Sequence, residues 1–273
     1  MFLDFCAVIR NFADMKQAMI FAAGLGTRLK PLTDTMPKAL VRVGGQPLLW
    51  HVIMKLKAAG FERIVVNVHH FAQQIVDYLK ENDNFGLDIR ISDESDGLLE
   101  TGGGIKKALP LFDAESPVLI HNVDILSNIN LARLYDFVAS TAAADAAIDA
   151  LLLVSQRKTK RYLLFDDELI LKGWTNVETG EVRDHRGTVP MCSANSAHGG
   201  ESPSELKQLA FSGIHVIQPS VFPLFEEMPE RFGIIDFYLK YCQQCSFLGY
   251  EMAGLRLLDV GKLDSLEQAE SFV

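Results

Sequence analysis

Cysteine is scarce. The 273 residues contain four, Cys6, Cys192, Cys242 and Cys245, too few for a disulfide framework at this length. Cys242 and Cys245 form a lone CxxC inside a helical pattern. A structural zinc site would normally need a second pair, so ordinary reduced thiols are expected. Basic charge is short as well: 26 Lys and Arg stand against 35 Asp and Glu, a formal charge of −9. An acidic surface repels a phosphate backbone, which argues against a nucleic-acid-wrapping role. A small anionic ligand would then need a locally basic site or a metal. Long apolar runs are missing, with nothing near the ~20 residues of a membrane helix. The N-terminus, MFLDFCAVIRNFADMKQ, carries Asp4 and no basic segment leading into an apolar stretch, so it does not read as a signal peptide. A cytoplasmic protein with no membrane or nucleic-acid partner is expected. There is no internal repeat and no hexapeptide run that would build a β-helix.

Apolar residues make up 48% of the chain, ample for a sizeable core. Residues 1–16 read as an N-terminal extension and 17–273 as a single domain. Strand-like and helix-like segments alternate through its first half. AMIFAA (18–23), RIVVNV (63–68), LDIRIS (87–92), PVLIHNVD (117–124) and AAIDALLLVS (146–155) read as strands. PLLWHVIMKLKAAG (47–60), FAQQIVDYLKEN (71–82), a segment beginning near Gly103, and NLARLYDFVAS (130–140) read as helices. Repeated βα units imply an α/β fold, a mostly parallel sheet with helices on both faces. Ligands of such sheets lie beyond the carboxyl ends of the strands.

The second half is less regular. RYLLFDDELILKGWTN (161–176) reads as a hairpin turning near Asp166 and Asp167, and LAFSGIHVI (209–217) as a strand. Residues 184–204 are polar and aperiodic and read as a flexible insertion. Two further helical stretches, two strand-like ones and a closing helix, KLDSLEQAESF, complete the chain.

The most pointed stretch follows the first strand: AAGLGTRLKPLTDTMPKAL. A dinucleotide fingerprint fails because Leu29 stands where its third glycine belongs, and no Walker loop is present. Yet Ala22, Ala23, Gly24 and Gly26 leave backbone N–H groups open to an anion. Arg28 offers a planar fork for phosphate oxygens, and Lys38, behind Pro37, a compact cation. A plain turn with scattered surface cations is the competing reading of the loop alone.

The loop resembles the signature of the sugar-phosphate nucleotidyltransferases, or nucleoside-diphosphate-sugar pyrophosphorylases. Gly24, Gly26, Arg28, Pro31, Thr33, Pro37 and Lys38 match it in order and spacing, and only its last proline is replaced, by Ala39. ETGGGIKKALP (100–110), HNVDIL, FSGIHVI and LLDVGKLDSLEQAE are similar to later segments of that family. Members resembling N-acetylmuramate 1-phosphate uridylyltransferase, which carry no β-helix, are the nearest subgroup. The resemblance implies a Rossmann-like three-layer, nucleotide-diphospho-sugar transferase fold. It also implies an Mg²⁺-dependent reaction joining a nucleoside triphosphate, UTP being favoured, to a sugar 1-phosphate such as N-acetylmuramate 1-phosphate.

Carried over residue by residue, the resemblance makes Lys38 and Arg28 the catalytic cations. Ala23, Gly24, Gly26, Thr27, Gln73, Gly102 and Gly103 become nucleotide contacts alongside them. Glu100, Thr101, Asn122 and Gly213 become contacts to the sugar phosphate, and Asp124 and Asp259 the metal carboxylates. Two departures stand out. Val123 replaces a glycine between Asn122 and Asp124, and Ser155 stands where the subgroup carries an aspartate. Competing readings are a mannose-1-phosphate guanylyltransferase-like enzyme, a non-catalytic sugar-nucleotide-binding regulator, and a nicotinamide-dependent dehydrogenase. The incomplete glycine pattern argues against the last.

Overall fold

A computed structural model describes residues 15–141, 148–189 and 206–272. The strands are β1 (Lys16–Phe21), β2 (Arg42–Val43), β3 (Gln46–Pro47), β4 (Phe61–Val68), β5 (Asp88–Asp93), β6 (Val118–Asn122), β7 (Ile125–Ser127), β8 (Ala150–Ser155), β9 (Arg161–Phe165), β10 (Leu171–Asn176), β11 (Glu181–Asp184), β12 (Gly187–Val189), β13 (Lys207–Ile217), β14 (Phe247–Glu251) and β15 (Leu257–Asp259). The helices are α1 (Leu48–Ala58), α2 (Ala72–Glu81), α3 (Glu100–Ala108), α4 (Leu131–Thr141), α5 (Ile234–Tyr241) and α6 (Leu263–Glu270).

The central sheet is mixed and mostly parallel. β5, β4, β1 and β6 run parallel side by side. β13 then pairs antiparallel with both β6 and β8, and β14 pairs parallel with β8. The start of β13 also pairs with β9, from which β10, β11 and β12 continue as an antiparallel extension. The expected hairpin over 161–176 is the β9–β10 pair.

Strand periodicity builds two cores. Ala18 and Ile20 of β1 join Ile64, Val66 and Leu119 on one face, against apolar residues of α1, α2 and α4. Met19, Val65, Val118 and Ile120 face the other way, against Ile105 of α3 and Phe237 and Tyr238 of α5. Successive strand residues point to opposite faces, so a strand apolar on both sides requires helices on both. The result is the expected three-layer fold. Each fully buried Leu, Ile or Phe contributes about 1.5–3 kcal/mol.

Several boundaries differ from the sequence reading. α3 begins at Glu100 rather than near Gly103, so Glu100 and Thr101 lie in its first turn and the three glycines within it. β6 ends at Asn122, and Asp124 lies in the turn before β7 rather than on the strand. β15 pairs with β7, apart from the main sheet. The expected insertion begins as structured chain, since β11 and β12 form a hairpin ending at Val189. The rest of that insertion, and nearly all of the N-terminal extension, lie outside the described residues.

Candidate active site

A cleft of about 550 Å³ opens at the carboxyl ends of β1 and β6. It brings together Ala23, Gly24, Gly26, Thr27, Arg28, Lys38, Glu100, Thr101, Asn122 and Asp124, with Gly261 on the far wall. The loop after β1 passes through Gly26 at φ +63, where Leu29 N–H and Thr33 Oγ1 both donate to its carbonyl at 2.8 and 2.9 Å. A side chain at Gly26 would lie 2.9 Å from Thr33 Cγ2 and 3.0 Å from Lys38 Cβ. This glycine is therefore needed both for its backbone and for the closeness of Lys38.

The loop's donors are divided. Ala22 and Ala23 N–H both donate to Asn67 Oδ1, at 2.7 and 3.3 Å. The N–H groups of Gly24, Leu25 and Gly26 have no acceptor among the described residues. Open donors thus begin at Gly24, two residues later than the sequence implied, and Ala23 lines the cleft with its amide already used. Thr27 and Arg28 are exposed beside these open donors.

Lys38 is nearly buried and donates through Nζ to Asp124 Oδ2. Val123, where the family has glycine, keeps ordinary backbone without positive φ, and its N–H donates to Phe21 O at 3.1 Å. The strand end needs no glycine there. Asp259 comes in from β15, paired in register with Ile125, and Val260 N–H donates to Asp124 O at 2.8 Å. A side chain at Gly261 would sit 2.6 Å from Asp259 Oδ1 and 2.7 Å from a terminal nitrogen of Arg28. Gly261 therefore keeps open the space between the Asp259 carboxylate and the Arg28 guanidinium.

Other expected contacts fall elsewhere. Gln73 is exposed on α2, donates to Asp77 Oδ1 at 2.7 Å, and does not line the cleft. Ile75 and Leu79 turn that helix's other face to the core. Gly102 and Gly103 lie behind the cleft wall. Their N–H groups donate to Phe232 O at 2.9 and 3.1 Å, and side chains there would strike the Phe232 ring and Glu230 O. The close approach these glycines permit is between α3 and the chain entering α5. Gly213, at φ +77, leaves room for the amide of Asn122, so it supports a cleft residue from behind. Glu100 accepts from Arg231 Nε at 3.0 Å, and Thr101 Oγ1 accepts from Ile234 N–H at 2.9 Å.

Two polar side chains of the cleft, Asn67 and Glu94, escaped the sequence reading. Glu94 is fully buried and accepts from Asn67 Nδ2 at 2.7 Å and from Leu99 N–H at 3.2 Å. Asn67 thus ties the anion loop to the opposite wall. Its only signal was a lone amide inside the apolar run IVVNV. In the CxxC, burial raises both the Cys242 and Cys245 thiols to about 11. Among the described residues no group of three or more His, Cys, Asp or Glu is placed to hold a metal. Among the described residues no helix is long and apolar enough to cross a membrane.

The carboxyl edge of this three-layer α/β sheet thus gathers a glycine loop with unpaired amides, two cations and two carboxylates, a set of groups suited to a phosphorylated ligand. Residues 17–164 match the family model described as nucleotidyl transferase. N-acetylmuramate alpha-1-phosphate uridylyltransferase of Caulobacter vibrioides is 37% identical over 208 residues, 76% of this chain and 76% of that protein. Its namesake in Neisseria meningitidis is 45% identical over 125 residues, which are 45% of this chain and 53% of that protein. The crystal structure of HddC from Yersinia pseudotuberculosis shares the fold, with a TM-score of 0.69 at 21% identity, covering 94% of this chain and 99% of that one. The chain belongs to the nucleotidyl transferase family.

Proposed function

We propose that the protein joins a nucleoside triphosphate to a sugar 1-phosphate, releasing pyrophosphate, with UTP and N-acetylmuramate 1-phosphate as the preferred pair. The observation that carries the reaction is the convergence of Arg28, Lys38 and Asp124 on one cleft beside unpaired loop amides, with Asp259 next to Gly261 at its wall. The substrate pair is supported by the names of the Caulobacter and Neisseria relatives. The product would be a cell-wall precursor made in the cytoplasm.

In this reading a phosphate oxygen of the sugar attacks the α-phosphorus, and the bond to the pyrophosphate oxygen breaks in line. Catalysis then rests on positioning and charge neutralisation, and no side-chain nucleophile is required. Lys38 draws the α-phosphate and the incoming sugar phosphate together. Arg28 and the free N–H groups of Gly24, Leu25 and Gly26 hold the leaving pyrophosphate. Thr27 adds a hydroxyl to that group, and Glu100, Thr101 and Asn122 face the sugar phosphate.

The donor set suits Mg²⁺. Asp124 and Asp259 would supply two oxygen ligands on adjoining backbone, with phosphate oxygens and water completing the coordination. Mg²⁺ held there would neutralise triphosphate charge. The testing experiment incubates the protein with Mg²⁺, each of four nucleoside triphosphates and a panel of sugar 1-phosphates, and measures pyrophosphate. Release is expected to be fastest with UTP and N-acetylmuramate 1-phosphate. Faster release with GTP and mannose 1-phosphate would move the assignment to a guanylyltransferase, and none from any pair would overturn it.

A further inference from the structure

A second cavity, of about 330 Å³, lies where β9, β10 and β11 meet the start of α5. Three arginines line it, Arg157, Arg161 and Arg183, against one lining carboxylate, Asp236. Arg183 is paired with Asp236 and lies over the Trp174 ring at 5.4 Å from its centroid. Arg157 donates to Phe211 O at 3.0 Å, which uses one edge of its guanidinium. Arg161 has no partner among the described residues. Two uncompensated cations thus stand together on a chain whose formal charge is −9. The remaining wall is mixed: Leu163, Trp174, Phe211 and Ile235 supply apolar surface, and Thr159 and Tyr162 polar atoms. Such a cavity favours a carboxylate attached to small apolar groups, since guanidinium forks match carboxylates and aromatic faces receive methyl groups.

The cavity adjoins the main cleft along two walls. On β13, Phe211 lines the cavity, and Gly213, two residues on, packs against Asn122 of the cleft. Two residues of strand span about 7 Å at most. On the other side, Ile235 lines the cavity while the preceding Ile234 donates its N–H to Thr101 Oγ1 in the cleft. A sugar whose phosphate lies at Asn122 and Thr101 would direct a ring substituent toward the arginines.

We propose that this pocket recognises an acidic substituent on the sugar 1-phosphate, Arg157 and Arg161 binding its carboxylate while Trp174 and Phe211 contact its methyl group. The lactyl ether of N-acetylmuramate has this chemistry, and N-acetylglucosamine lacks it. The inference rests on the nucleotidyl-transfer reading for the position of the phosphate, and it makes the arginines specificity determinants rather than catalytic residues.

The test compares N-acetylmuramate 1-phosphate with N-acetylglucosamine 1-phosphate in the wild-type protein and in Arg157→Gln/Arg161→Gln. Both turnover and direct calorimetric binding are measured. The double substitution should reduce the preference for the acidic sugar by about tenfold or more, mainly through KM, as expected for loss of charge-assisted hydrogen bonds. Arg157→Lys/Arg161→Lys, which keeps charge but not the fork, should restore part of it. An unaltered preference, or no preference in the wild type, overturns the pocket's role and leaves nucleotidyl transfer standing. Discriminating binding without any pyrophosphate release would support the pocket while overturning the reaction.

Discussion

Val260 donates its backbone N–H to the carbonyl of Asp124 at 2.8 Å, and Asp259 beside it pairs with Ile125. A short two-stranded ribbon of β7 and β15 thereby fixes one carboxylate relative to the other. Asp124→Asn and Asp259→Asn should each raise the Mg²⁺ concentration for half-maximal pyrophosphate release by about tenfold or more, since each removes a charged oxygen ligand. Chelation should abolish release in the wild type. Ordinary Mg²⁺ dependence in both variants would remove these residues from the metal site.

Lys38→Ala removes the cation that faces Asp124. Loss of one donor aimed at developing negative charge lowers turnover about 10²–10³-fold. Steady-state pyrophosphate release checks this, with circular dichroism reporting the fold. Near-normal kcat would exclude Lys38 from the reaction.

The two loop glycines should behave differently. Gly26→Ala forces a side chain into left-handed backbone against Thr33 and Lys38, and should destabilise by about 1–2 kcal/mol and impair turnover. Gly24→Ala meets no atom within 4 Å and should change stability by less than about 0.5 kcal/mol. Urea unfolding separates the two outcomes.

Asn67→Ala should loosen the loop from behind. It leaves the Ala22 and Ala23 N–H groups without their shared acceptor, a loss of about 1–3 kcal/mol for a buried donor left unsatisfied. It should also raise KM for the triphosphate. Unchanged stability would mean that water replaces the amide.

Acid should weaken the fold in a defined window. Burial lowers His121 to about 4 and His215 to about 3, while both titrate near 6.5 when unfolded. Between those values the unfolded chain binds more protons, so stability falls as pH drops below about 6.5, by up to ~1.4 kcal/mol per pH unit for each histidine. Urea midpoints at pH 7, 5.5 and 4.5 should decline in that order, and less steeply in His215→Phe. A midpoint independent of pH would contradict this.

The fold class and the glycine loop after β1 were legible in the sequence because both depend on local order. Apolar runs of strand length between helical periods dictate a sheet covered on both faces, and Gly24, Gly26, Arg28 and Lys38 lie on one short segment. What local order could not disclose was which close contacts each glycine serves. Gly26 and Gly213 make room for Lys38 and Asn122, whereas Gly102 and Gly103 serve helix packing, because the atoms they admit come from distant parts of the chain. Gln73 faces outward for a similar reason: the side of α2 that meets the core fixes the orientation of the rest. Only tertiary structure joined Asn67 to Glu94, set Asp259 beside the Asp124 turn, and gathered Arg157, Arg161 and Arg183 into one cavity. The sequence by itself determined the elements and their chemistry; strand pairing between remote segments decided which of those groups meet.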